Sequence, residues 1–266
     1  MPDYYTKNFD NGLKLIGNES NESPLVYFYL KIDGGHLLEA NKKVSTGTAM
    51  LTASMMGEGT KRLTSEELSR ELDKLGSRIS FNSGTMNATV FVSSLAENVD
   101  ATLALFKEAL FEPRFDDADF KRIKQQTIDG LKSQKNNPGI MSSKAWNKII
   151  YEGTILEEYY YGDFKSLNKI KLSDVEDFYN TYYSPNVSTV IVSGDISESE
   201  ALSKLAFLND WENKKVELPE LPELKMPSKT TIYLIDKPYA AQSTIVMGHP
   251  SSQFDYSGVH FKSDIM

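Results

Sequence analysis

Residues 47–60 read GTAMLTASMMGEGT. From residue 44 to Met56 the chain is rich in Ala, Met and Leu, side chains that lose little freedom in a helix. The segment is apolar nearly all round, which is the pattern of a buried helix and not of a surface one. Gly57 and Gly59 stop it. A second helix follows at once. Thr64-Ser65-Glu66-Glu67 is a capping box, in which Thr64 accepts from the backbone and Glu67 reaches back. That helix is expected to run to Leu75, with Gly76 as its C-terminal cap.

Upstream, residues 4–9 alternate and end at Asp10-Asn11-Gly12, a hairpin turn signal, and residues 13–16 return as a second strand. Residues 25–32 form a longer β-rich run, with Val26, Phe28 and Leu30 on one face. Three consecutive antiparallel strands are the natural expectation. Downstream, residues 79–81 and 87–95 read as strands around an Asn82-Ser83-Gly84 turn. Helices are expected at 97–111, with Val99, Leu103, Phe106 and Leu110 on its apolar face, at 116–134, at 142–151 and at 173–182. The last of these has its own capping box, Ser173 and Glu176. A β-branched strand at 189–192 and a helix at 198–207 complete residues 1–215.

Residues 216–228 then repeat Pro and Glu and read as an extended linker. Two further strands are expected, at 230–235 and 244–248, within a C-terminal part spanning 229–266. These 38 residues are too few to bury a core of their own, so they read as the opening strands of a second domain. Interleaved strands, helices and long crossovers give an α+β fold, with a mostly antiparallel sheet packed against helices.

Composition narrows the function. The chain has 266 residues, 40% hydrophobic and 25% charged, the balance of a packed globular protein. Mean hydropathy is −0.39, and no apolar run approaches the ~18 residues of a membrane span. The net charge of −8 and pI near 5.1, with no dominant Lys/Arg cluster, argue against nucleic acid. There is no cysteine, which removes disulfides, thiolate metal ligands and thiol nucleophiles.

Several blocks in order resemble the M16 peptidases, the insulinase, pitrilysin and mitochondrial processing peptidase family. FDNGLKLI is similar to the family's opening hairpin. GTAMLTASMMGEGT resembles its metal-binding helix. LTSEELSRELDKLGSRIS and ENVDATLALFKEALFEPRFDDADFKRIKQQTIDGLK resemble the elements that follow it. NTYYSPNVSTVIVSGDI resembles the closing helix, turn and strand. KTTIYLIDKPYAAQSTIVMGHP resembles the start of a second domain of the same kind. The resemblance implies the LuxS/mitochondrial-processing-peptidase-like metallohydrolase fold.

Active members of that family carry His-x-x-Glu-His on a helix. Two His four positions apart share one helix face and reach one zinc ion, and the Glu activates the bound water. A third ligand, a Glu, comes from a downstream helix. In this chain Met50 and Ser54 stand at the two His positions and Ala53 at the catalytic Glu. The third-ligand position falls on Gly130, or on Asp129 if the register slips by one. A thioether does not suit a catalytic zinc site, a protonated serine is a poor ligand and alanine offers nothing. No catalytic residue and no metal ligand is therefore assigned here.

The resemblance implies a non-catalytic domain that helps enclose and bind peptide beside a catalytic, zinc-bearing M16 half. That half is either fused in one parent chain or a separate subunit. A purely structural subunit of a larger complex is the alternative, as is a hydrolase with an unrelated site. A substrate-binding Arg/Tyr pair, where the family has one, lies in the following domain and is not transferred. Bacterial relatives of this tandem kind are often exported, so the resemblance points to the periplasm or export of a full-length parent, with the cytoplasm left open.

Other candidates are weaker. His36, His249 and His260 lack the spacing of a ligand set and read as isolated surface residues. Ser93-Ser94 and Ser251-Ser252 have no His–Asp arrangement nearby in sequence. Gly34-Gly35 and Gly57-Glu58-Gly59 lack the Gly-Lys-Ser/Thr ending of a phosphate loop. Tyr159-Tyr160-Tyr161 either line a peptide-binding surface or, more in keeping with such aromatic loops, pack at a seam.

Overall fold

The structure, a computed structural model, describes residues 3–40, 44–134, 137–221, 224, 228–238 and 242–248. Its strands are β1 (Tyr5–Asn8), β2 (Lys14–Glu19), β3 (Leu25–Asp33), β4 (Arg78–Ser83), β5 (Asn87–Leu95) and β6 (Ser188–Gly194). They form one sheet in the order β1-β2-β6-β3-β5-β4. The helices are α1 (Thr48–Met56), α2 (Ser65–Lys74), α3 (Val99–Phe111), α4 (Asp117–Gln134), α5 (Pro138–Ile150), α6 (Phe164–Lys169), α7 (Leu172–Tyr182) and α8 (Glu198–Lys204).

The first two strands make the expected hairpin, Tyr5 opposite Gly17 and Asn8 opposite Lys14. The third does not join them. β6 inserts between β2 and β3, parallel to β2 and antiparallel to β3. The reason is burial. β6 buries Val190 and Val192 almost completely, so it belongs at the sheet's centre, whereas β1, exposed along most of its length, suits an edge. The remaining pairs, β3/β5 and β4/β5, are antiparallel, so the sheet is mixed but mostly antiparallel.

The period-two pattern works as expected. Val26, Phe28, Leu30 and Ile32 point into the core with Val90, Val92, Val190 and Val192. Val99, Leu103, Phe106 and Leu110 of α3 close over the same cluster. Side chains on the opposite face, Tyr27, Tyr29 and Ile191, are exposed. The capping box at α2 is present, Thr64 Oγ1 accepting from the Glu67 N–H at 3.3 Å and Glu67 Oε2 accepting from the Thr64 N–H at 2.8 Å. At α7 the reciprocal contact is displaced by two residues. Asp174, not Glu176, accepts from the backbone N–H of Lys171 at 2.7 Å, because the helix begins one residue earlier than expected.

The helix expected at 142–151 starts earlier, at Pro138, which sits in the first turn of α5, where its missing N–H costs nothing. The strands expected at 230–235 and 244–248 are not formed. Residues 229–237 and 243–248 have no regular structure, and Ile232, Leu234, Ile245 and Met247 are largely exposed. These four side chains have no covering layer among the described residues, and an isolated strand pair is marginal in water. His249, His260 and Ser251-Ser252 lie outside the described residues.

Candidate functional site

The helix α1 is buried along its whole length except at Ser54. It packs on β4, α7 and α4. Met50, at 6% exposure, joins Leu51 and Met55 in an apolar cluster with Phe120, Ile128 and Leu131 of α4, and with Leu167, Ile170 and Val175. Ala53 is also buried. Ser54 Oγ donates to the Met50 sulfur at 3.6 Å, one turn away on the same face, so the sequence spacing is realised in space.

The donor set does not suit zinc. Only a thioether and a hydroxyl meet at these positions, and they are satisfied by one another. Asp129 is on the exposed side of α4, where its carboxylate accepts from Lys132 at 2.7 Å and Gln125 at 3.0 Å. Gly130 has no side chain, and a Cβ there would meet nothing within 4 Å. Among the described residues no group of three His, Asp or Glu side chains is placed to hold a metal ion.

The sequence reading missed the polar centre beside this helix. His36 and Glu39 lie on a 3-10 turn, Gly35–Ala40. His36 is not a surface histidine; it is 1% exposed, and Glu39 is 2% exposed. Its Nδ1 lies 2.6 Å from Glu39 Oε2, and its Nε2 lies 3.0 Å from the carbonyl oxygen of Ile155. Glu39 in turn accepts from the N–H of Gly47 at 3.1 Å and from that of Ala49 at 2.6 Å. α1 starts on Gly47, which has φ of 100° and no side chain to cap it. Glu39 supplies the missing acceptor from eight residues upstream, and a carboxylate is favoured at a helix N-terminus.

The protonation state follows from the partners. A carbonyl only accepts, so His36 Nε2 donates to Ile155. Glu39 already accepts from two backbone N–H groups, which favours its ionised form, so Nδ1 donates as well. These partners favour an imidazolium paired with a carboxylate. Burial works against the charged ring, but the hydrogen bond and charge of Glu39 more than offset it, and its pKa is raised. Burial pushes the Glu39 carboxyl up, opposed by the bonds from His36, Ala49 and Gly47. The clue in the sequence was the i, i+3 spacing of His36 and Glu39 ahead of an apolar helix with no capping side chain.

The three tyrosines pack on one another, Tyr159 to Tyr161 at 5.4 Å and Tyr160 to Tyr161 at 4.5 Å between ring centres. Tyr159 and Tyr161 lie against the Met50 cluster. Lys144 Nζ sits 4.2 Å from the Tyr159 ring centre, a cation–π contact. Burial, a hydrogen bond with Tyr161 and nearby phenols push the Tyr160 hydroxyl well above its ordinary value. The tyrosines therefore seal the flank of the α1–α4 cluster. Ser94 is fully buried in a hydroxyl network with Thr102 at 2.9 Å and Ser77 at 3.2 Å, with no histidine among these partners. That network joins the start of β4 to α3.

A mixed sheet backed by helices, in a sequence with no His-x-x-Glu-His motif, defines the class: an α+β domain of the zinc-peptidase type without that motif. Comparison with known proteins gives the family. The description "Insulinase (Peptidase family M16)" matches residues 15–159, and "Peptidase M16 inactive domain" matches residues 169–264. The chain belongs to the M16 insulinase family. It is 24% identical over 191 residues to "Non-peptidase homolog YmxG" of Helicobacter pylori, covering 72% of this chain and 44% of that protein. It is 20% identical over 227 residues to "Mitochondrial-processing peptidase subunit beta" of Bos taurus, covering 85% and 46%. The solved "peptidase M16 inactive domain" of Pseudomonas fluorescens superposes with a TM-score of 0.79 at 25% identity, covering 85% of this chain and 54% of that one. The chain thus spans about half the length of the curated relatives it matches.

Proposed function

We propose that this chain is a non-catalytic M16 domain that helps enclose and bind peptide beside a zinc-bearing half. The observation that carries this reading is α1. It lies where the family resemblance puts a metal-binding helix and is buried, yet Met50, Ala53 and Ser54 on it, with Gly130 or Asp129 on α4, offer no ligand set. The peptide route is strand addition. Among the described residues β4 is an edge strand, hydrogen-bonded on one side only, to β5, and α1 packs against it. An extended peptide paired to the free side of β4 gains main-chain hydrogen bonds with little side-chain selectivity.

The test uses the purified chain and a fluorescein-labelled unstructured basic peptide, chosen because the chain carries a net charge of −8. The peptide is expected to bind by anisotropy, to protect the amides of β4 from exchange and to remain uncleaved. Metal analysis after dialysis against zinc is expected to find well under one equivalent. Stoichiometric zinc with chelator-sensitive cleavage overturns the non-catalytic reading. Absence of peptide binding overturns the enclosing role and leaves the structural-subunit reading.

A further inference from the structure

The segment around residues 155–162 crosses the N-terminal end of α1 and is fastened there. His36 holds the Ile155 carbonyl, and Thr46 Oγ1 donates to the Glu158 carboxylate. The backbones also touch. A Cβ on Gly47 would lie 3.0 Å from the Tyr161 oxygen, and one on Gly162 would lie 2.5 Å from the Thr46 oxygen. Beyond these fastenings the segment is lightly held. Preceding α5 has no buried residue, and Tyr159 and Tyr161 are only partly buried against the Met50 cluster.

We propose that His36 is a proton-governed latch: as an imidazolium it clamps segment 155–162 across the head of α1, and on losing its proton it lets that segment go. The geometry dictates which bond breaks. A neutral ring keeps one N–H. If the proton stays on Nδ1, the bond to Glu39 survives and a lone pair on Nε2 faces the Ile155 carbonyl at 3.0 Å. If it stays on Nε2, a lone pair faces the Glu39 carboxylate at 2.6 Å. The second arrangement is the worse, because Glu39 is fixed as an acceptor by Gly47 and Ala49. The Ile155 bond is therefore lost, and the attraction between the ring and Glu158 goes with it.

Glu39 and Glu158 are the titratable groups that face the ring among the described residues. α1 and residues 84–87, the turn that packs on Gly35 and His36, contribute none. Glu157 turns away to accept from the Gly153 N–H at 2.7 Å. Because the folded-state pKa of His36 is raised, the latch is fully closed below the ordinary imidazole value of ~6.5. It opens as pH rises through the raised folded value. Opening withdraws Tyr159 and Tyr161 from the flank of α1 that carries Met50.

The test is nitrogen-15 NMR of the histidines of the full chain, with amide exchange corrected for its intrinsic base catalysis. At pH 6 both ring nitrogens of His36 are expected to carry protons. Across its titration, corrected exchange at residues 155–162 should rise roughly tenfold or more, the effect of losing one charge-assisted hydrogen bond. Exchange in β3, β5 and β6 should stay level. The His36→Gln variant should show no titration-linked step. If that variant does not fold, the wild-type titration decides alone. A neutral His36 at pH 6, a titration that leaves 155–162 unchanged, or an equal rise in the central strands overturns the latch. None of these readouts depends on peptide binding.

Discussion

Replacing Glu39 by alanine is the sharpest test of how α1 is held. The carboxylate is 2% exposed and accepts three hydrogen bonds, from His36, Gly47 and Ala49. Its removal leaves a buried imidazolium without its counter-charge, which costs ~3–5 kcal/mol. It also uncaps α1, for about 1 kcal/mol more. The combined loss of roughly 4–6 kcal/mol compares with the ~5–15 kcal/mol stability of a typical domain. For a chain of this size that lowers Tm by roughly 10–20 °C. Urea unfolding followed by far-UV circular dichroism is the assay, with the slope used to check that the unfolded state is unchanged. A loss below about 1 kcal/mol, no larger than that of an exposed cap, would falsify the argument that this pair anchors the helix.

An exposed cap gives the comparison. Thr64→Ala removes a capping box at α2 and should cost about 1 kcal/mol by the same urea assay. Met55→Ala empties a fully buried position and should cost ~2–5 kcal/mol, with Met55→Leu recovering most of it. Asp116 accepts from the N–H groups of Asp119 and Ala118 at the start of α4, and with Arg114 nearby its pKa is lowered. A depressed folded value means that its stabilisation is present above the ordinary carboxylate value of ~3.9 and is lost as pH falls through the folded value. Asp116→Ala should therefore flatten the acid limb of a plot of stability against pH, and an unchanged limb counts against the cap. Finally, Tm should be the same with added zinc or with chelator, because a ligand stabilises a fold only by binding it; a zinc-dependent rise would sink the reading of Met50, Ala53 and Ser54.

Most of the fold was legible because local rules agreed with each other. Alternation along β3 and β5, the Asp10-Asn11-Gly12 turn and the Thr64 capping box are each settled within a few residues. Strand order was not legible, since β2 and β6 are more than 160 residues apart and nothing local marks them as neighbours. The segments at 230–235 and 244–248 show the opposite failure. Their composition is that of strands, but strand formation needs a covering layer, and composition does not supply one. The matching of Met50 and Ser54 to motif positions came from the family resemblance; that the two share a face follows from spacing, because i and i+4 on a helix do so wherever the helix lies. His36 was misjudged because burial is tertiary. A histidine after two glycines looks exposed until the chain from Ile155 folds over it, 119 residues later.

The two ends of α1 then make one argument. In a metal-binding relative of this fold, coordination would tie the middle of this helix to α4. In this chain that tie is apolar, Met50, Leu51 and Met55 against Phe120, Ile128 and Leu131, each side chain worth ~1.5–3 kcal/mol when fully buried. The head of the helix is tied by Glu39, with His36 carrying the tie onward to Ile155. The first connection runs through Met50, the position matched to the first His; the second uses no such position. Met50 is therefore core where the resemblance would put a ligand. On the proposed function, peptide adds to the outer side of β4, which among the described residues pairs only with β5.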